Sequence, residues 1–392
     1  MPVKRSPDWL IVVCAVTLFT FGLVMIYSSS AVMAADRFGD PFFFLKRQAL
    51  WGVLGLAGMA VAMRIEYHAL SRYAYVIYVG ALVALALVFL PGVGHKVNGA
   101  QRWIDLGVGA VQPAEFVKLA LILFFAATLA KKAEEKTVKD FTFGFVPCLL
   151  ALLIALAMIQ MQPDMGTALV IGTVSFFLFW VGGVRSAYLA GTAFMAAPVV
   201  YLSIYNVGYR RKRILSFLDP WQDVSDTGYQ IIQSYIALAR GGIFGAGLGE
   251  SQQKLFYLPE AHTDFIFAIV GEELGMVGVL FLLAVFVTLA WRGYRAGAAA
   301  PDRFGMLLAY GITFAFSLQA LVNLSVAMGL APTKGLPLPF VSLGGSALVM
   351  WMIAVGLLAN VSESAMAVEG TRRQRRQQPE GSRNRRLLVP QA

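Results

Sequence analysis

Runs of about 20 apolar residues recur along this sequence, and each is long enough as a helix to cross a hydrocarbon layer of roughly 30 Å. That feature leaves few folds open. Inside lipid every backbone N–H and C=O must be satisfied within the chain, so such runs become spanning helices packed into a bundle. Only 14% of the 392 residues are charged, against about a quarter in soluble domains. The sequence predicts an all-α polytopic membrane protein.

Run lengths place about ten spans, at 9–29, 49–63, 73–90, 113–130, 143–161, 165–182, 186–205, 265–290, 304–328 and 340–361. An even count puts both termini on one side. The short loops around Arg64 and Arg72, at 131–139, at Arg185 and at 292–303 are basic, which marks them and both termini as cytoplasmic. Lys4 and Arg5 lead into the first run without a small-residue cleavage site, so that run reads as a retained span. Residues 1–8 are then a cytoplasmic N-terminus, 9–361 the membrane domain, and 362–392 a basic cytoplasmic tail expected to be disordered. The stretches 91–112, 162–164, 206–263 and 329–339 fall outside, with 206–263 a large extracytoplasmic loop between the seventh and eighth spans.

The formal charge of +10 owes much to Arg372, Arg373, Arg375, Arg376, Arg383, Arg385 and Arg386. Beside a last span such a tail suits anionic membrane lipids, and no nucleic-acid partner is expected. Cys14 and Cys148 lie within apolar runs, and His68, His95 and His262 are far apart. No metal-site spacing results.

Motif-like sequence collects on the outer side. The chain approaches the eighth span through LFYLPEAHTDFIF, which offers Glu260, His262, Thr263 and Asp264 at a membrane boundary, where charge loses hydration. Thr263 and Asp264 read either as N-cap residues or as reacting groups. In NGAQRWIDLGVGAVQPAEFVK, Asn98, Gly99, Arg102 and Trp103 precede Pro113, with Glu115 and Lys118 three apart on one helix face. That pair reads equally as a mutual neutralisation or as substrate contacts. Asp164 in QPDMGT serves as a helix cap or lines a cavity, and Lys334 in APTKGLPLPFVSLGGS stands in irregular backbone as an anion partner or a snorkelling lysine.

Within 206–263, the spacing of YQIIQSYIALAR predicts a short interfacial helix, and the glycines of GGIFGAGLGES read as allowing backbone turns and close approach to a ligand. The basic run 210–213 reads as a solvated face or as a collar for an anionic substrate. Cations such as Arg102, Lys118 and Lys334 beside a carboxylate such as Asp264 suit glycosyl transfer from a lipid pyrophosphate. That reaction needs charge stabilisation on the leaving group and a base for the nucleophile.

At NGAQRWI, QPAEFVK, QPDMGT, LPEAHTDFIF and PTKGLPLPFVS the sequence resembles the SEDS family (shape, elongation, division and sporulation), membrane glycosyltransferases that polymerise lipid II. The likeness spans roughly 9–361, and its long outer loop is more like the division branch than the elongation branch. The resemblance implies Asp264 as catalytic base, with Arg102, Glu115, Lys118, Asp164, Lys334, Ser342 and His262 as substrate-site candidates. It also implies an inverting transfer with release of undecaprenyl pyrophosphate, a class B penicillin-binding protein and other division proteins as partners, and a place in the bacterial inner membrane at the septum. A divalent cation, Mg or Mn, is an open addition. Two positions depart from the family pattern: Leu343 follows Ser342, and Val224 stands where a proline is common. Two rival functions stay open, a lipid II flippase, which intramembrane charges and broken helices would also suit, and a noncatalytic division scaffold.

Overall fold

The computed structural model describes residues 7–97, 100–105, 107, 109–224 and 228–377. Its long helices, in order, are α1 (Trp9–Phe38), α2 (Phe43–Arg64), α3 (Tyr67–Leu87), α4 (Pro113–Glu134), α5 (Val146–Met161), α6 (Met165–Gly182) and α7 (Ser186–Tyr205), followed by α10 (Ile266–Ala299), α11 (Arg303–Ala327) and α12 (Gly345–Gln377). Between α7 and α10 come α8 (Gly208–Leu218) and α9 (Tyr229–Gly241). Among the described residues, nine helices are long and apolar enough to cross a membrane. The remaining long one, α2, has similar length but carries Lys46, Arg47 and Gln48 in its first turns.

Helices occupy all the expected spans: α6 and α7 match their bounds, α1, α2, α4 and α10 run longer, and α5 and α12 begin later than expected. Helix α12 continues past the anticipated stop at 361 to Gln377, so the first half of the stretch read as a disordered tail has helical backbone. Residues 378–392, including Arg383, Arg385 and Arg386, lie outside the described residues. So do Asn98 and Gly99 of the first outer motif.

Helix α4 is the hub: nearly all of its apolar window is buried, and it packs against α3, α6 and α11, while α2 packs along α12 and α1 along α10. Polar ties at one end confirm that the termini share a side. Asp8 caps α1 through Leu10 N, pairs with Arg292 of α10, and donates its backbone N–H to Ser362 Oγ of α12 at 3.0 Å. Asp302 caps α11 and accepts from Tyr67 and His68 of α3.

The fold is not purely helical. Strands β1 (Gly94–Val97), β2 (Ala100–Asp105) and β3 (Ala110–Val111) form an antiparallel sheet ordered β1-β2-β3, pairing His95 with Trp103 and Ile104 with Val111. A hairpin satisfies its own backbone groups where the chain leaves the bilayer.

Helix α10 is broken at Gly275, whose φ of 64° and ψ of −160° interrupt the helical ladder. The orphaned groups are taken up by the glycine-rich loop after α9. Ala246 N and Gly247 N donate to Glu272 O and Glu273 O at 2.9 and 3.0 Å, and Met276 N and Val277 N donate to Gly242 O and Ile243 O at 3.0 and 3.2 Å. The glycines read as allowing ligand approach instead allow approach of two backbones. A Cβ on Gly245 or Gly275 would collide with the other strand of this contact.

Candidate active site

The segment before α10 folds into a tight turn closed by Glu260 O, which accepts from Thr263 N at 3.1 Å and Phe265 N at 3.3 Å, with Glu260 itself at φ 56°. Three residues on two elements fasten this turn. Ser342 Oγ donates to Thr263 O at 2.5 Å and accepts from Leu338 N at 2.9 Å. Leu343 N donates to His262 O at 3.0 Å. Asn323 of α11 donates through Nδ2 to both Asp264 O at 2.9 Å and Leu336 O at 2.8 Å. The turn is thus locked to the loop joining α11 and α12, which carries Lys334.

Asp264 caps nothing. The N-cap of α10 is Phe265, with no side-chain cap bond, and among the described residues no donor reaches the Asp264 carboxylate. Its Oδ2 lies 3.6 Å from where a Cβ on Gly335 would stand. The side chain is still partly open to solvent while protein surrounds it closely. That desolvation, helped by the negative charge of Glu260 and opposed by Arg213, pushes its pKa up to about 7. A carboxylate so tuned takes a proton readily near neutral pH.

Lys334 is half-buried, and among the described residues it has no ion-pair partner. Burial lowers its pKa below the ordinary lysine value, the mark of a cation placed where an anion would relieve its desolvation. His262 packs against Phe44 of α2, the rings tilted by 36° with centroids 5.0 Å apart. Its pKa falls, mainly through burial, with Glu260 opposing and Arg37 adding to the fall. The imidazole therefore packs as a neutral ring between the turn and α2.

The other sequence candidates lie around these two. Arg102 on β2 donates to Gln162 O at 2.8 Å and Pro163 O at 2.5 Å, and stands 4.0 Å from Asp164. Asp164 caps α6 through Thr167 N at 3.1 Å and also accepts from Gln112 at 3.2 Å. Arg102 thus braces the hairpin on the α5–α6 corner, with much of its hydrogen-bonding capacity committed. Glu115 and Lys118 are buried and pair at 2.8 Å, and Lys118 also donates to Gln319 Oε1 at 2.7 Å. Gln319 Nε2 in turn donates to Pro337 O at 2.9 Å. Glu115 and Lys118 thus neutralise each other and are tied to the Lys334 loop through Gln319.

Residues the sequence reading passed over also shape the site. Gln319 and Asn323 stand four apart in an apolar helix, hence on one face, and that spacing was a usable signal. Gln48 of α2 donates to Ser342 O and accepts from Gly344 N, each at 3.3 Å. The adjacent carboxylates Glu272 and Glu273 are fully buried. Glu273 accepts from Ser28 of α1 at 2.7 Å and Lys254 at 2.9 Å, and Glu272 accepts from Ser251 Oγ at 2.5 Å and Gln252 N at 3.1 Å. Two carboxylates in a row within an apolar run signal such partners. Among the described residues, no group of three His, Cys, Asp or Glu side chains stands where it could hold a metal ion.

Residues 8–367 match the family of cell cycle proteins comprising FtsW, RodA and SpoVE. A probable peptidoglycan glycosyltransferase FtsW of Geobacter metallireducens is 49% identical over 91% of this chain and 94% of its own. Stage V sporulation protein E of Bacillus subtilis is 43% identical over 92% of this chain and 98% of its own. Among solved structures, a chain from a peptidoglycan synthase complex that coordinates polymerization and crosslinking superposes with a TM-score of 0.74, at 29% identity, covering 92% of this chain and 99% of that one. The rod shape determining protein RodA of Thermus thermophilus gives 0.67 at 28% identity, covering 91% and 96%. With that coverage, and with the outer loops and spans arranged as described, this chain belongs to the FtsW/RodA/SpoVE family.

Proposed function

We propose that this protein is a peptidoglycan glycosyltransferase that polymerises lipid II at the division septum of the bacterial inner membrane, alongside a class B penicillin-binding protein. The observation that carries the reading is the pairing of opposites at the outer end. Among the described residues, Asp264 is a desolvated carboxylate without a donor and Lys334 a half-buried cation without a carboxylate partner, on two loops locked together by Ser342 and Asn323. The family and the identity to FtsW chains support the reaction class.

In this mechanism Asp264 takes the proton from the acceptor GlcNAc 4-hydroxyl as its oxygen attacks the donor MurNAc anomeric carbon. The bond from that carbon to the phosphate oxygen breaks with inversion, and the electron pair leaves on undecaprenyl pyrophosphate. Lys334 offsets the charge that develops there. Arg102, Asp164, Glu115, Lys118, Ser342 and His262 hold the surrounding loops in register. A divalent cation, if used, would be ligated chiefly by the diphosphate, as Mg²⁺ commonly is.

The test is polymer formation from labelled lipid II in detergent by purified protein with its penicillin-binding partner, comparing wild type with Asp264→Asn. Polymer from wild type alone supports the base. Detergent removes sidedness, so polymer there also separates synthesis from lipid II transport or scaffolding. Equal polymer from both proteins removes Asp264 as base.

A further inference from the structure

Helix α8 resolves the basic run into different tasks. Arg210 turns back, donating to Ser203 O at 3.0 Å and Gln160 Oε1 at 3.5 Å, and Arg211 lies over the Tyr205 ring at 5.6 Å. Arg213 crosses to the loop after α11, where its NH1 donates to Thr333 O at 3.2 Å. Among the described residues no carboxylate pairs with Arg213, and its guanidinium keeps further donors. Its positive charge nevertheless acts on Asp264, favouring the ionised acid.

Thr333 directly precedes Lys334, and Gly335 directly follows it, facing Asp264 Oδ2. Three consecutive residues, Thr333 to Gly335, thus take the Arg213 guanidinium at one end, face the Asp264 carboxylate at the other and carry Lys334 between them. A diphosphate carries more negative charge than one ammonium offsets, and the planar fork of arginine matches phosphate oxygens in a way lysine does not.

We propose that Arg213 is the second cation of the leaving-group site, holding the lipid diphosphate together with Lys334. This rests on the glycosyl-transfer reading above. The contact with Thr333 fixes the backbone from which Lys334 reaches, so the two cations act as one clamp. Among the described residues, the charges that act on Asp264 are Glu260 on its own turn and Arg213 from α8, and Lys334 belongs to the facing α11–α12 loop. His262 lies two residues upstream, turned toward Phe44.

The experiment measures inhibition of lipid II polymerisation by added undecaprenyl diphosphate, with undecaprenyl monophosphate as comparator, for wild type, Arg213→Lys and Arg213→Gln in complex with the partner. Arg213→Gln is expected to weaken diphosphate inhibition about 10- to 100-fold, the effect of losing charge-assisted hydrogen bonds. Monophosphate inhibition should change less. Arg213→Lys should fall between, and its retained charge covers the case in which the Gln variant does not fold. The acid limb of the pH–rate profile should move to higher pH in Arg213→Gln, because removing a positive charge makes Asp264 harder to ionise. A variant with slower turnover but unchanged diphosphate inhibition and unchanged acid limb would make Arg213 a brace for Thr333 and overturn the proposal. Full activity of Asp264→Asn would instead remove the base while leaving the inhibition result to judge Arg213.

Discussion

Replacing Asp264 by Asn should make the protein more stable at pH 8 while abolishing polymerisation. A carboxyl whose folded pKa is raised binds its proton more tightly folded than unfolded. Its contribution to stability is therefore fully present below the unfolded value of 3.8 and declines as pH rises to about 7. A gap of about three pH units, at about 1.4 kcal/mol each, bounds the loss near 4 kcal/mol. Because water still reaches the carboxylate, the loss is on the order of 2–4 kcal/mol. Asn carries no charge to desolvate and escapes it. Thermal unfolding of the purified complex, followed by tryptophan fluorescence between pH 5 and 8, should show Asp264→Asn melting a few degrees higher at pH 8. The advantage should shrink steadily toward pH 5. An Asn variant no more stable at pH 8, or one whose advantage ignores pH, would refute the claim that this acid is held in a desolvating site.

Three other outcomes are expected. Lys254→Met leaves Glu273 buried without its cation and should cost about 3–5 kcal/mol in denaturant unfolding, much of it recovered by adding Glu273→Leu. Ser342→Ala removes the bridge from Thr263 O to Leu338 N, costing about 1–3 kcal/mol, and should lower kcat more than it raises KM, because it misplaces Asp264 without touching the leaving group. Gly275→Ala would force a side chain into the Gly245 backbone at a positive φ, and amide exchange across 241–247 should rise sharply even where the bundle still assembles.

The spans were legible because lipid allows one economical solution for a long apolar run, and even the short link between α6 and α7 was found. The loops were not, since their order comes from contacts that no local pattern announces. Arg102 looked like a free cation until its carbonyl partners on the α5–α6 corner appeared. The hairpin at 94–111 showed no alternation strong enough to read. Helix α8 was hidden by four consecutive basic residues, which read more easily as solvated chain than as the carrier of one inward-reaching guanidinium. For Asp264, sequence left capping and catalysis near balance, and the cap at Phe265 removed the first. Gln319 and Asn323 were readable in principle, because amides four apart in an apolar helix must find partners.

The break in α10 bears on how the chain is assembled. During synthesis the outer loop emerges before this span, so the glycine-rich segment is already waiting when residues 272–277 enter the membrane. Until the two meet, backbone groups at the break have no partners in lipid. Docking of the loop therefore completes the hydrogen bonding of the broken helix, and the turn bearing Asp264 is held between these two joined segments. A newly made chain stalled before this step would have its spans and no active enzyme.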